Sequence, residues 1–187
     1  MAFWNDVRTE PKRQFRFELS FTKLNQDSGK SGIPAWAVKT ASKPKANVST
    51  IEHQYIDHTF KYPGRVTWDP ITVTLVDPIN PDVSYTMLEI LGASGYKFPT
   101  TDTAAKNSLS KRMFKDAIGS IYIDQIDEFG ATIERWELVN PFITSIDFGG
   151  SLDYSSDEMN EITVELTFDW AKMMRFGKAQ APSSVGS

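Results

Sequence analysis

Alternation of apolar and polar residues is the strongest pattern along this chain. In residues 121–138 the two-residue period predicts a hairpin with a turn at residues 127–130, although its register is not clean. The period is clear in residues 15–21, 65–75 and 142–148. It indicates half-buried β-strands, because successive strand side chains point to opposite faces. The longest instance is residues 161–171, in which one face is wholly apolar, comprising Ile162, Val164, Leu166, Phe168 and Trp170. We expect this segment to be one uninterrupted strand.

Glycine and proline divide the first half of the chain. Residues 25–32 are rich in Gly, Ser and Asx and predict a loop. A strand predicted over 35–41 places Trp36 and Val38 on one face. It ends before Pro44, which cannot donate a hydrogen bond to a sheet.

The stretch from residue 48 to residue 62 is β-branched and aromatic with weaker alternation, which indicates extended backbone. Pro63-Gly64 then predicts a turn. At Asp69-Pro70 the apolar set moves from even to odd positions, so we expect a bulge or kink there.

One segment has the pattern of a helix. Asn80-Pro81-Asp82 fits a helix start, and a mostly 3.6-residue apolar stripe ends before Gly92. The stripe comprises Val83, Met87, Leu88, Ile90 and Leu91. Residues 98–109 are polar and small and predict a long loop with room for one helical turn. About seven short strands and one helix favour a β-sandwich or open barrel with an attached helix.

The domain boundaries follow from the same patterns. We expect one β domain over residues 15–174. A polar N-terminal arm over 1–14 precedes it, and a flexible tail over 175–187, rich in Ala, Pro, Ser and Gly towards its end, follows it.

Composition excludes several classes of protein. The 187 residues suit one domain, and 20 basic against 24 acidic side chains give a net charge of −4, which does not suit a general binder of nucleic acid. The absence of cysteine removes disulfides and thiolate metal sites. No stretch approaches the roughly 20 apolar residues of a membrane-spanning helix, and no secretory signal pattern opens the chain.

No constellation of residues predicts catalysis or a cofactor, so we expect a protein that is not an enzyme. His53 and His58 are an odd number of residues apart, which would place them on opposite faces of a strand and exclude a shared metal. Residues 153–158 lack the glycine and the final glutamate of a calcium loop. The remaining cluster is basic and predicts a solvated face, with contact to an acidic partner as the alternative: Lys106, Lys111, Arg112 and Lys115.

Long alternating strands raise the question of what covers the sheet edges. Residues 161–171 contain neither Pro nor Gly, and an exposed edge of this kind is a template for pairing with other chains. We expect the edges to be paired within the chain or with further copies of it. Ring closure between copies would remove every edge, as barrel closure does.

Three segments, in the right order, resemble the tail tube proteins of contractile phage tails. Residues 62–78, with Ile71-Thr72-Val73-Thr74 at their centre, resemble the family's central strand. Residues 137–143 resemble its Trp-x-Leu-x-Asn-Ala-Phe segment, with Pro141 in place of the usual Ala. Residues 152–171 resemble its closing loop and strand. The similarity spans residues 15–174, and related tubes occur in type VI secretion and extracellular injection systems.

The resemblance implies two packed antiparallel sheets with one flanking helix. It also implies hexameric rings whose inner sheets join into one barrel and which stack into a tube for the passage of DNA. The implied partners are further copies of the chain, the tail sheath protein, the tape-measure protein, and the baseplate and neck proteins. Viral DNA would be present only in transit, without membrane insertion. The implied location is the virion, after assembly in the host cytoplasm.

Two sets of residues are candidates for surfaces of such a tube. Ring stacking would use the N-terminal arm and residues 47–63, where an ordinary strand and hairpin turn is the alternative interpretation. The stacking candidates are Tyr55, Asp57, Phe60, Lys61 and Tyr62. A lumen that repels phosphates would use the polar face of the last strand, since six copies at −4 give about −24 per ring. The lumen candidates are Glu161, Thr163, Glu165, Thr167 and Asp169.

Two other functions fit the pattern less well. A tube initiator or terminator at the baseplate or neck would share the fold. A stand-alone β-sandwich binding module would need an exposed aromatic platform, whereas the aromatic residues here are predicted mostly at core-facing positions.

Overall fold

The computed structural model describes residues 11–23 and 33–176. Within these ranges the chain is mainly β, as the sequence predicts, with ten strands in three antiparallel sheets and three helices. The strands are β1 (Phe17–Phe21), β2 (Val38–Ala41), β3 (Ala46–Tyr55), β4 (His58–Trp68), β5 (Ile71–Val76), β6 (Ile121–Ile126), β7 (Thr132–Val139), β8 (Phe142–Asp147), β9 (Glu161–Thr167) and β10 (Trp170–Arg175). The helices are α1 (Val83–Ala93), α2 (Asp102–Ala105) and α3 (Lys111–Ile118).

Two four-stranded sheets enclose the core. Sheet A has the order β1-β6-β7-β10, and sheet B has the order β2-β5-β9-β8. Alternate residues of both sheets are buried in one cluster, which α1 and α3 extend. Its members include Leu19, Ile121 and Leu138 from sheet A, Leu75, Ile162 and Leu166 from sheet B, and Met87 and Phe114 from the helices.

Residues 161–171 form two strands rather than the single strand that we expected. β9 ends at Thr167, and β10 begins at Trp170 in the other sheet. Phe168 stays in the core at 5% exposure, whereas Trp170 is exposed. The prediction was wrong because alternation identifies the buried face but does not mark where a chain passes from one sheet to the other. β9 is also an interior strand, between β5 and β8.

The strand predicted over 35–41 begins later than expected. Residues Ala35–Ala37 form a 3-10 turn after Pro34, and β2 starts at Val38. The turn rotates the chain by about 120° per residue, so Trp36 is exposed and does not share a face with Val38. Phe15 is likewise exposed and precedes β1.

The predicted helix is present, although its end differs. The Asp82 carboxylate caps α1 by accepting a hydrogen bond from the Tyr85 backbone N–H at 2.8 Å. The helix continues through Gly92 to Ala93, and Leu88 is exposed where the stripe placed it inside. The short α2 is the helical turn for which the 98–109 segment left room, and α3 carries three members of the basic cluster.

A buried carboxylate holds the segment before β1 against sheet A. The Glu134 side chain is 7% exposed and accepts hydrogen bonds from Lys12, from Lys43 at 2.9 Å and from Trp136 Nε1 at 2.7 Å. Burial raises the pKa of Glu134, but the three donors outweigh that effect and lower it to about 2.

We expect this carboxylate to make stability depend on acid. Its folded-state pKa lies below the ordinary value of 4.5, so the stabilisation is complete above about pH 4.5 and is lost as the pH falls towards 2. Glu134→Gln should cost about 2 kcal/mol of unfolding free energy at pH 7 and should flatten the pH dependence between these limits. Urea unfolding at several pH values measures both effects, with Glu137→Gln on the same strand as the control. Parallel pH profiles for Glu134→Gln and the unchanged protein would contradict the assignment.

Candidate assembly surfaces

Strands β3 and β4 form a hairpin that continues β2 and β5 of sheet B outward. Across the junction, each step forward along one strand is matched by one step back along its antiparallel partner, so the register does not change. The kink predicted at Asp69-Pro70 is therefore the point where the β3–β4 hairpin leaves sheet B. The pairs that cross this point are 41–73, 42–72, 45–69 and 46–68.

The hairpin projects away from the body of the protein. β4 has 11 residues, which corresponds to about 35 Å of strand. Every residue of the hairpin is exposed except Asn47, Gly64 and Trp68, which are half-buried. A two-stranded hairpin without a packing partner is at best marginally stable in water. This hairpin therefore has the form of a segment that is completed by a contact outside the described chain.

Hydrogen bonds at the base fix the direction of the hairpin. The Asp69 carboxylate accepts from Asn47 Nδ2 at 2.5 Å and pairs with Lys45 Nζ at 3.1 Å, and these bonds hold the pKa of Asp69 below its usual value. The Trp68 ring lies 6.0 Å from the Phe168 ring, centroid to centroid. The base of the hairpin is thus attached to the core at the crossover between the two sheets.

Pro63-Gly64 is not the turn that we expected. Both residues lie within β4, at a bulge where the register shifts between Val48 and Thr50. A Cβ on Gly64 would lie 2.3 Å from Ser49 Oγ, so a larger residue does not fit. The glycine at position 64 is therefore explained by the close approach of β3 and not by a turn.

The turn lies instead at Ile56-Asp57, between the paired residues Tyr55 and His58. Ile56 has a φ of 53°, in the left-handed region that a β-branched residue rarely adopts, and its side chain is 82% exposed. Asn or Gly is the usual choice at this position of a two-residue hairpin turn. An apolar side chain kept at a strained, exposed tip indicates a contact surface.

The register divides the outer hairpin into an apolar face and a polar face. Paired residues share a face, and the pairs 51–62, 53–60 and 55–58 place six side chains together. This apolar face comprises Ile51, His53, Tyr55, His58, Phe60 and Tyr62. The opposite face carries Glu52 and Lys61, whose charged atoms are 3.2 Å apart.

His53 and His58 therefore share a face, contrary to the sequence analysis. The parity argument assumed one continuous strand, but the turn between the two residues restores them to the same side. In the described ranges no group of three or more His, Cys, Asp or Glu side chains is arranged to hold a metal ion.

Of the stacking candidates, Tyr55, Phe60 and Tyr62 lie on the apolar face, Lys61 lies on the polar face, and Asp57 lies in the turn. Sequence reasoning missed Ile51 and Ile56, which the register and the turn add to the same surface. The first ten residues of the N-terminal arm, the tail beyond residue 176 and the whole of the predicted 25–32 loop lie outside the described residues.

A second candidate surface is the outer face of sheet B. Ile162, Val164 and Leu166 point into the core, so the alternate residues of β9 face outward. Threonines of β5 flank them, with Thr72 opposite Glu165 and Thr74 opposite Thr163. The outward residues of β9 are Glu161, Thr163, Glu165 and Thr167, all half-buried.

Asp169 is separate from this set because the strand ends before it. Its carboxylate accepts hydrogen bonds from Lys111 Nζ at 2.5 Å and from Asn140 Nδ2 at 2.8 Å. These donors lower the pKa of Asp169. The residue joins α3 to the crossover between β9 and β10, which the expected uninterrupted strand could not reveal.

The fold matches solved structures of contractile systems. Over 94% of this chain and 100% of the other, it is similar to the tube-terminating cap of the anti-feeding prophage, with a TM-score of 0.62 and 21% identity. It is similar to the sheath/tube terminator of an extracellular contractile injection system, PVC, with a TM-score of 0.61 and 19% identity over 90% and 99% of the two chains. The sheath-tube complex of that system gives 0.59 and 19% over 94% and 99%.

This chain has the fold of contractile-system tube proteins. No family model matches the sequence, and no curated protein matches it by sequence alone. The tube fold thus persists at an identity where sequence comparison gives no match.

No helix in the described ranges 11–23 and 33–176 is both long enough and apolar enough to cross a membrane. The edges of the two larger sheets are formed by β1 and β10 in sheet A and by β2 and β8 in sheet B. In the tube fold these four strands are the positions at which a neighbouring chain could add hydrogen bonds.

Proposed function

We propose that this protein is a structural subunit of the inner tube of a phage contractile tail. Hexameric rings of the chain stack into a tube that encloses a channel for DNA. The observation that carries the proposal is the projecting hairpin, because it exposes an apolar face that the protein alone leaves uncovered. The subunit has no catalytic role. It works by assembly in the virion, after production in the host cytoplasm, with the sheath, tape-measure, baseplate and neck proteins as partners.

Ring closure uses the edges of sheet B. β2 of one copy and β8 of the next continue the sheet around the ring, which satisfies backbone groups that would otherwise remain free at an edge. The outer face of sheet B then lines the channel. Its threonines offer no large apolar contact, and Glu165 carries negative charge that repels the phosphates of passing DNA, whereas the charge of Glu161 is paired with Lys39.

The absence of cysteine from the chain allows a clean test of the channel face. In assembled tubes we expect Thr163→Cys to react slowly with a long polyethylene-glycol maleimide, because the reagent can enter only from the tube ends. Lys172→Cys, on exposed β10, should react at the same rate before and after assembly. Equal rates for Thr163→Cys in tubes and in dissociated protein would remove sheet B from the channel.

The strained tip allows a test in which local stability and assembly move in opposite directions. Ile56→Asn relieves a left-handed β-branched residue, which should stabilise the turn by about 1 kcal/mol and slow hydrogen exchange in the hairpin. The same change removes an apolar contact, so the critical concentration for tube assembly should rise about tenfold, equivalent to 1.4 kcal/mol. An unchanged critical concentration would show that the tip makes no contact.

A terminator would share this fold and would occur once per tube instead of repeatedly. The repeating role is favoured by exposed apolar side chains at both ends of sheet B, since a repeating head-to-tail contact needs both. The hairpin lies at one end, and Phe148, Leu152 and Met159 of the β8–β9 connection lie at the other. Copy number per particle, measured by quantitative mass spectrometry, distinguishes the two roles. Many rings of copies support the tube subunit, and a single ring of copies supports the terminator.

A further inference from the structure

The end of sheet B opposite the hairpin carries a second exposed apolar surface. The pairs 76–161 and 147–163 place the end of β5 and the β8–β9 connection, residues 148–160, at this end. The hairpin leaves sheet B from the other end of β5. The exposed apolar residues here are Ile79, Phe148, Leu152, Tyr154 and Met159. We call them, with the groove beside them, the distal surface.

The distal surface includes an open groove of about 1160 Å³. Residues 150–154 and 156–161 line it together with Lys39 of β2, which is ion-paired with Glu161. Leu152 is 92% exposed beside this groove. A large apolar side chain that is almost fully exposed beside a groove favours a binding surface over a packing element.

We propose that the hairpin tip of one copy docks in the distal groove of a copy in the next ring. This inference rests on the proposed tube function and deepens it by naming the surface that receives the hairpin. The occupant is a second copy because the hairpin continues β2 and β5 with no register change at their junction, which places the two uncovered apolar surfaces at opposite ends of one molecule. A surface at one end that fits a different surface at the other end generates an open, repeating stack.

The acidic groove suits hydrogen-bond donors on the hairpin rather than its Asp57 carboxylate, which the docked turn must hold away from the groove lining. The groove is lined by four carboxylates against one lysine: Asp153, Asp157, Glu158 and Glu161 against Lys39. Hydrogen bonds from the Ser155 backbone and side chain lower the pKa of Asp153, which keeps it ionised. The hairpin offers two imidazoles, His53 and His58, on the apolar face that would enter the groove. Imidazole N–H groups donate to carboxylates, so the tip supplies polar partners as well as apolar area.

A pair of engineered cysteines tests the contact in assembled protein. In one copy, Tyr55→Cys lies at the hairpin tip and Leu152→Cys at the opposite end of sheet B, so a short bismaleimide does not span the two. If the tip of one copy enters the groove of the next, the reagent should give a ladder of covalent multimers from tubes and only monomer from dissociated protein. The matched control pairs Tyr55→Cys with Phe129→Cys, in the exposed β6–β7 turn.

The outcomes separate this inference from the proposed function. Tubes with a ladder from the Leu152 pair alone support both. Tubes without that ladder, or with an equal ladder from the Phe129 pair, overturn the docking contact and leave the tube function standing. Failure of the unchanged protein to form tubes overturns the function and the contact together.

Single charged substitutions give a second test that does not depend on cross-linking. Leu152 is exposed, so Leu152→Glu should leave the fold unchanged while rings form and stacking falls at least tenfold. Phe129 is also an exposed apolar residue, and Phe129→Glu should stack normally. Normal tube formation by Leu152→Glu would overturn the proposal even if the cysteine variants did not assemble.

Discussion

A shortened hairpin should give folded rings that do not stack. In the variant, residues 52–61 are removed and Ile51 is joined to Tyr62 through Asn-Gly. The new turn is closed by the pair Ile51–Tyr62 in place of Tyr55–His58. The two pairs are four positions apart along the strand, so both are of the same type, hydrogen-bonded or non-hydrogen-bonded. The removed residues contribute nothing to the buried core, and the unfolding free energy should change by less than about 1 kcal/mol. Loss of the apolar tip should weaken stacking about 100-fold, or roughly 2.7 kcal/mol.

Electron microscopy of the shortened variant, together with sedimentation velocity, measures this result. Single rings in place of tubes are expected. Thr59→Ala, on the polar face of the outer hairpin, is the control and should form tubes. Full-length tubes from the shortened variant would show that stacking depends on another part of the chain.

Phe168→Ala should produce the largest loss of stability among these substitutions. Phe168 fills the crossover between the two sheets and packs against Trp68 at the hairpin base. Truncation of a buried phenylalanine costs about 3–5 kcal/mol, through lost burial and the cavity that remains. Urea unfolding followed by circular dichroism measures the loss. We expect Phe168→Leu, which keeps most of the volume, to cost less than about 1.5 kcal/mol.

The same substitution should also impair assembly, because the hairpin base loses its contact with the core. Phe168→Ala should form fewer tubes even under conditions in which its monomer is folded. A destabilisation below about 1 kcal/mol would mean that the crossover is not the anchor described here.

The sequence predicted the buried faces well because burial and alternation have the same physical cause. Ile71, Val73 and Leu75 are buried as their spacing indicates, and the hairpin of β6 and β7 lies where the turn residues place it. The fold class followed from these patterns together with the resemblance to tube proteins.

Features that depend on pairing between strands could not be read in the same way. The Pro63-Gly64 dipeptide is as compatible with a bulge as with a turn, and only the position of Ser49 on the partner strand decides between them. The shared face of His53 and His58 depends on a turn at Ile56, a residue that no turn preference selects. The break at Phe168 is hidden for a similar reason, since the apolar alternation continues across it.

The candidate surfaces were predictable in composition but not in arrangement. Aromatic residues between 55 and 62 indicated a contact region. The register was needed to show that Tyr55, Phe60 and Tyr62 share a face and that Lys61 lies opposite. The separation of Asp169 from the β9 face likewise follows from tertiary pairing with Lys111 rather than from local pattern.

Electron microscopy of the purified, unchanged protein at high concentration tests the central claim most directly. The claim is that further copies of the chain cover the hairpin and the sheet edges. It predicts hollow tubes built from six-membered rings with a regular axial repeat. Monodisperse, stably folded monomers that show no rings or tubes at any concentration would contradict it.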